Sequence, residues 1–204
     1  MDLGKIIEKK YDAAKYMVKE ITHICTKIEK REPGSIGEKK ACEYMAKVLK
    51  EDCGCERADV EPFKENPRSF LGWLFFTLTF VLAAIVLYFF SPVISVILIV
   101  LGLLLALLQF GLYFKTIDKV FPEKTGHNVT AIKKCKGETK RRIIFNGHPD
   151  AAWEWPVNYA LGGVGFEAHA LIGFAGAFYY LILAIIQLVQ NGSVGADPST
   201  PLGK

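Results

Sequence analysis

His148 and Asp150 stand two residues apart, just beyond a short apolar run, Arg142-Ile143-Ile144-Phe145-Asn146. A histidine can offer one ring nitrogen to a metal. A neighbouring carboxylate can hold the proton on the other nitrogen and so fix the tautomer. The run has the pattern of a buried strand. Gly147-His148-Pro149-Asp150 would end it, presenting the pair at a strand terminus. The chemistry that suits such a pair is metal-assisted. The tripeptide alone is a weak signal, and its weight comes from the rest of the chain.

Other metal-capable residues are less well placed. Cys53-Gly54-Cys55 could touch a metal, but no second cysteine pair completes a thiolate site, and ordinary thiols near a turn explain it better. The 5 cysteines are Cys25, Cys42, Cys53, Cys55 and Cys135. Their odd number and irregular spacing make a poor disulfide framework and suit a reducing compartment. His127 begins a strand pattern, His23 lies in a helical one, and His169 sits at the edge of an apolar run; each is assigned a structural role.

The elements that must position the pair come in two kinds. Hydrophobic residues make up 51% of the chain although 23% of it is charged, so the two types are segregated along the sequence. Residues 3–30 place Ile6, Ile7, Ala13, Ala14, Met17, Val18, Ile21, Ile24, Cys25 and Ile28 at helical spacing, with lysines and glutamates elsewhere. Such a stripe either packs on a globular core, the commoner fate, or lies on a membrane surface. Pro33-Gly34 breaks the pattern. Ser35 then has the position of an N-cap, with Glu38 completing a capping box for a helix that runs to about Lys50. Ala58–Phe63 alternates as a strand, as does His127–Ile132, and Arg141–Asn146 is expected to form a third.

Between these polar blocks lie the apolar ones. Leu71–Phe90 and Ile94–Phe114 are uncharged and separated only by Ser91, Pro92 and Val93. Each is long enough to cross a hydrocarbon core of ~30 Å as a helix. Ala168–Val189 is a third such run, rich in the small residues that let helices approach closely. Basic residues flank the hairpin on both sides, Lys64 and Arg68 before it and Lys115 and Lys119 after it. The polar parts are therefore expected in the cytoplasm of a multi-pass protein of the cell membrane. No secretory signal pattern is present, and the triplets Asn128-Val129-Thr130 and Asn191-Gly192-Ser193 are of a kind frequent by chance. The net charge of +4 is interleaved with acidic residues and does not point to nucleic acid.

Taken in order, the polar blocks resemble the dinuclear zinc aminopeptidases, the family of aminopeptidase Y, bacterial leucyl aminopeptidase and the glutaminyl cyclases. Arg31-Glu32-Pro33-Gly34-Ser35-Ile36-Gly37-Glu38, with the helix through Ala41 and Tyr44, resembles that family's N-terminal signature. Val60-Glu61-Pro62-Phe63 and His127-Asn128-Val129-Thr130-Ala131 resemble the strands that follow. Ile143 through Ala152 resembles its first metal motif. The apolar insertions are similar to a membrane-embedded bacterial branch. The resemblance implies an α/β/α sandwich interrupted by transmembrane helices, His148 as ligand to one of a pair of zinc ions, and Asp150 as its orienter. It also implies a peptide substrate.

The rest of the family's site does not follow. Beyond Asp150 the sequence holds only Asp197, Glu154 and Glu167 as acids, with no adjacent Glu-Glu pair to supply a base and a ligand. A catalytic zinc needs about three protein ligands. The expected organisation is therefore an N-terminal portion of a longer enzyme. Residues 1–68 and 117–160 belong to the peptidase-like domain, 69–116 form a hairpin, 161–190 a third span, and 191–204 a polar loop. The competing expectation is a non-catalytic membrane protein that uses a peptidase-like fold as an interaction module. A transport subunit with Glu167 and His169 at the mouth of a span is disfavoured, because neither lies deep in an apolar run.

Overall fold

The computed structural model describes residues 7–28 and 30–195. Ile6, Asp197 and most of the C-terminal polar loop lie outside the described residues. The chain is mixed helix and strand and divides into two units, Met1–Glu65 with Glu123–Trp153, and Asn66–Pro122 with Glu154–Lys204.

In the first unit, helices α1 (Lys10–Lys27) and α2 (Ile36–Glu51) precede strand β1 (Arg57–Glu65), and strand β2 (Lys124–Ile132) completes an antiparallel pair. The register runs from Arg57 opposite Ile132 to Glu65 opposite Lys124. Helix α2 packs on this pair through Ala41, Cys42 and Ala46, all buried. Its start follows the capping logic. The Glu38 amide donates to Ser35 Oγ at 3.2 Å, and Glu38 Oε2 accepts from the Gly34 amide at 2.7 Å. The return bond thus reaches one residue further back than in the usual box, to the turn glycine. Gly34 needs to be glycine: its φ is +69°, and a Cβ there would lie 2.6 Å from Lys124 Cβ.

The expected third strand is not formed. Residues 133–155 contain no helix or strand. A strand needs a partner for its backbone donors and acceptors, and among the described residues β1 and β2 pair only with each other. Ile143, Ile144 and Phe145 are instead 73%, 81% and 92% exposed. The described residues of this unit place helix α2 on a two-stranded antiparallel sheet, without the further strands and second helix layer of the expected α/β/α sandwich.

Among the described residues the second unit holds three helices long and apolar enough to cross a membrane: α3 (Ser69–Leu87), α4 (Pro92–Ala106, continued by a π-turn at Leu107–Gly111) and α5 (Pro156–Asn191). Polar side chains satisfy carbonyls between α3 and α4: Thr77 Oγ1 donates to Gly102 O at 3.1 Å and Ser95 Oγ to Ala84 O at 2.9 Å. Tyr88 meets Tyr180 of α5 edge-on at 6.0 Å. The second span ends before Phe114 for a visible reason. Gln109, buried in the π-turn, accepts from Thr116 Oγ1 and the Ile117 amide and donates to Asp118, so the chain folds back there. The third apolar run is extended on its N-terminal side to Pro156, with a break at Gly162 (φ 69°, ψ −176°).

Candidate functional site

A cleft of about 480 Å³ in the first unit is lined by residues from both halves of that unit, among them Glu38, Glu65, Asn128, Asn146, His148 and Asp150. Three elements supply its walls: the N-terminus of α2, the paired ends of β1 and β2, and the loop after residue 133. That loop is anchored by Arg31, whose Nε donates to Pro149 O at 3.2 Å while its carbonyl accepts the Ala151 amide at 2.7 Å. Asp150 is therefore held between two contacts to Arg31, with His148 immediately before them, and no strand lies in this segment.

His148 Nδ1 lies 3.0 Å from Asp150 O and 3.3 Å from Asp150 Oδ1. A backbone carbonyl can only accept, so this contact calls for a proton on Nδ1, which in the neutral ring leaves the lone pair on Nε2. The imidazole is 79% exposed, with Asp150 more sheltered at 29%. The ring is thus oriented by Asp150 and largely exposed.

Glu38 is the structural centre of the cleft. It is 3% exposed, and besides the Gly34 amide it accepts the His127 amide on Oε1 at 3.4 Å, tying the start of α2 to β2. His127 itself is a strand residue whose Nδ1 is buried and finds no hydrogen-bond partner among the described residues. Glu65, at the end of β1, also has a buried oxygen without a partner. Burial, and then the charges of Glu38 and Asp150, hold the Glu65 carboxyl above its usual range, with Lys124 opposing weakly. Cys42 donates to His127 O at 3.2 Å; burial and then Glu38 push its thiol up to about 11, so it stays protonated at neutral pH and is no nucleophile.

The raised Glu65 makes a pH prediction. A carboxyl that binds its proton more tightly in the folded state favours folding most below its ordinary value of 4.5, and that contribution is lost as pH rises through the raised folded value. Glu65→Gln is expected to flatten this decline and stabilise the unit at neutral pH. Thermal unfolding of both proteins across that window is the measurement; parallel pH profiles would show that Glu65 ionises freely.

The remaining candidates stay apart. His23 stacks on Tyr44 at 4.3 Å, His169, Glu154 and Glu167 are exposed, and Cys53 and Cys55 are free thiols. Among the described residues no three His, Cys, Asp or Glu side chains converge as a metal site. His148 and Asp150 fit one ligand and its orienter, and the residues around them do not complete a coordination shell. Arg31 and Glu65 were not singled out in the sequence as parts of this site. Arg31 stands at the start of the Arg31–Glu38 block, which was its only signal, and Glu65 had none. No family model matches the chain, and neither a curated protein nor a solved structure shows significant similarity to it.

Proposed function

We propose that this chain is part of a membrane-anchored zinc exopeptidase, contributing His148 as a metal ligand. The observation that carries the reading is the His148 geometry: Nδ1 lies against Asp150, and the ring, 79% exposed, lines a cleft. In such a site zinc supplies Lewis-acid activation of water and carbonyl. What this chain adds is orientation. Arg31 holds the loop, Asp150 holds the ring, and Glu38 holds the helix start that walls the cleft. The other ligands and the general base are assigned to residues outside these 204. The exposed Ile143-Ile144-Phe145 run supports that assignment, since an apolar triplet of this kind belongs beneath further sheet.

The aminopeptidase assay that tests this reading uses the 204-residue chain with added zinc. No turnover is expected. Turnover lost on His148→Ala would mean that Glu154 or Asp197 completes a site within this chain.

The proposed orientation places the first unit in the cytoplasm. Cys25 and Cys135 are both exposed, so they report on it directly. A membrane-impermeant maleimide applied to intact cells is expected to leave both unlabelled and to label them after permeabilisation. Labelling of either in intact cells would reverse the orientation.

A further inference from the structure

Helix α1 is packed inside out. It meets α2 through polar and aromatic side chains: Tyr44 OH donates to Glu20 Oε2 at 2.6 Å, Tyr16 OH to Asp52 Oδ2 at 3.4 Å, and His23 stacks on Tyr44. No residue of α1 is buried. Its apolar face points the other way, with Tyr11 70%, Met17 56%, Val18 64% and Ile21 60% exposed, and Ile7 just before the helix at 60%. At 3.6 residues per turn, Tyr11, Ala14, Val18, Ile21 and Cys25 fall on one stripe about 80° wide. Lys10 and Lys15 flank its two edges.

We propose that this face of α1 lies in the interface of an anionic lipid bilayer, as a surface-bound amphipathic helix. Charge complementarity points to that occupant. Residues 7–28 carry five lysines against three acids; Lys19 and Glu20 pair with each other, which leaves four lysines against two acids. Lysines beside an apolar stripe let their stems lie along it while the ammonium groups reach headgroup phosphates. Only Asn66, Pro67 and Arg68 separate the end of β1 from α3, so the first unit is tethered to an apolar helix by a three-residue link. A second copy of the chain fits less well. The stripe has the 3-and-4 spacing of a coiled-coil seam, but in a parallel self-pair Lys10 of one helix would face Lys15 of the other. The proposal needs the apolar helices to be in a membrane; it does not depend on zinc or peptidase activity.

The test is photocrosslinking of the full chain in nanodiscs, with Val18→p-benzoylphenylalanine on the apolar stripe and Lys19→p-benzoylphenylalanine beside it. The position 18 probe is expected to form a lipid adduct in a mixed phosphatidylcholine and phosphatidylglycerol bilayer, and the position 19 probe far less. Lys10→Gln with Lys15→Gln should lower the position 18 adduct by up to about thirtyfold, the combined contribution of two basic residues near an anionic surface. A position 18 crosslink to a second copy, a crosslink within the chain, or a lipid yield indifferent to phosphatidylglycerol and to the lysines would overturn the proposal.

Discussion

On the zinc-exopeptidase reading proposed above, His148→Ala is expected to abolish peptide hydrolysis, and Asp150→Asn to reduce it by about 10–100-fold. The difference follows from the geometry. His148 would supply the ligand itself, from a ring that is 79% exposed. Asp150 supports the ring twice, through its carboxylate and through its own backbone carbonyl, the nearer acceptor at 3.0 Å. Asparagine keeps the backbone contact and loses only the charge, so orientation is weakened rather than lost. Turnover measured on both variants, with bound zinc measured alongside, separates the cases. Equal losses would mean that Asp150 is itself a ligand.

Glu38→Ala should produce the largest stability loss in the first unit. Its carboxylate is buried and accepts two backbone amides, Gly34 at 2.7 Å and His127 at 3.4 Å. Hydrogen bonds to a charged group contribute more than neutral ones, and the variant leaves two amides without their acceptor, for a loss of about 3 kcal/mol. Glu38→Gln preserves the shape and one acceptor oxygen, so it should fall between. Hydrogen exchange of the α2 and β2 amides is the readout, with about 100-fold faster exchange expected for Glu38→Ala if these amides exchange by opening of the unit. Unchanged protection would show that the turn at Pro33-Gly34 and β2 are held by other contacts.

Local signals were legible in the sequence. Ser35 and Glu38 marked the start of α2, alternation marked β1 and β2, and uncharged length marked α3, α4 and the core of α5. What failed depended on partners distant in the chain. Ile143-Ile144-Phe145 has a strand's composition, but composition asks for burial without supplying the neighbouring strand, and here the segment is exposed loop. Periodicity likewise found the apolar stripe of α1 and not its direction, because Tyr16, Glu20 and His23 take the inward side by bonds to α2, 24 to 36 residues away for the hydroxyl pairs. In the cleft, the two-residue spacing of His148 and Asp150 was visible at once. Arg31 reaches Pro149 across 118 positions, and Glu65 joins the site only through the β1–β2 register, so neither role leaves a local pattern.

The central claim is that His148 holds zinc. Elemental analysis of the complete protein, purified from membranes of its own host without added metal, addresses it directly when wild type, His148→Ala and Glu154→Gln are compared. Glu154 is exposed and close in sequence, and serves as the control. The account predicts zinc in the wild type, nearly the same in Glu154→Gln, and a marked loss in His148→Ala. Full zinc content in His148→Ala, or no zinc in the wild type, would contradict it and leave the fold as an interaction module of a membrane protein.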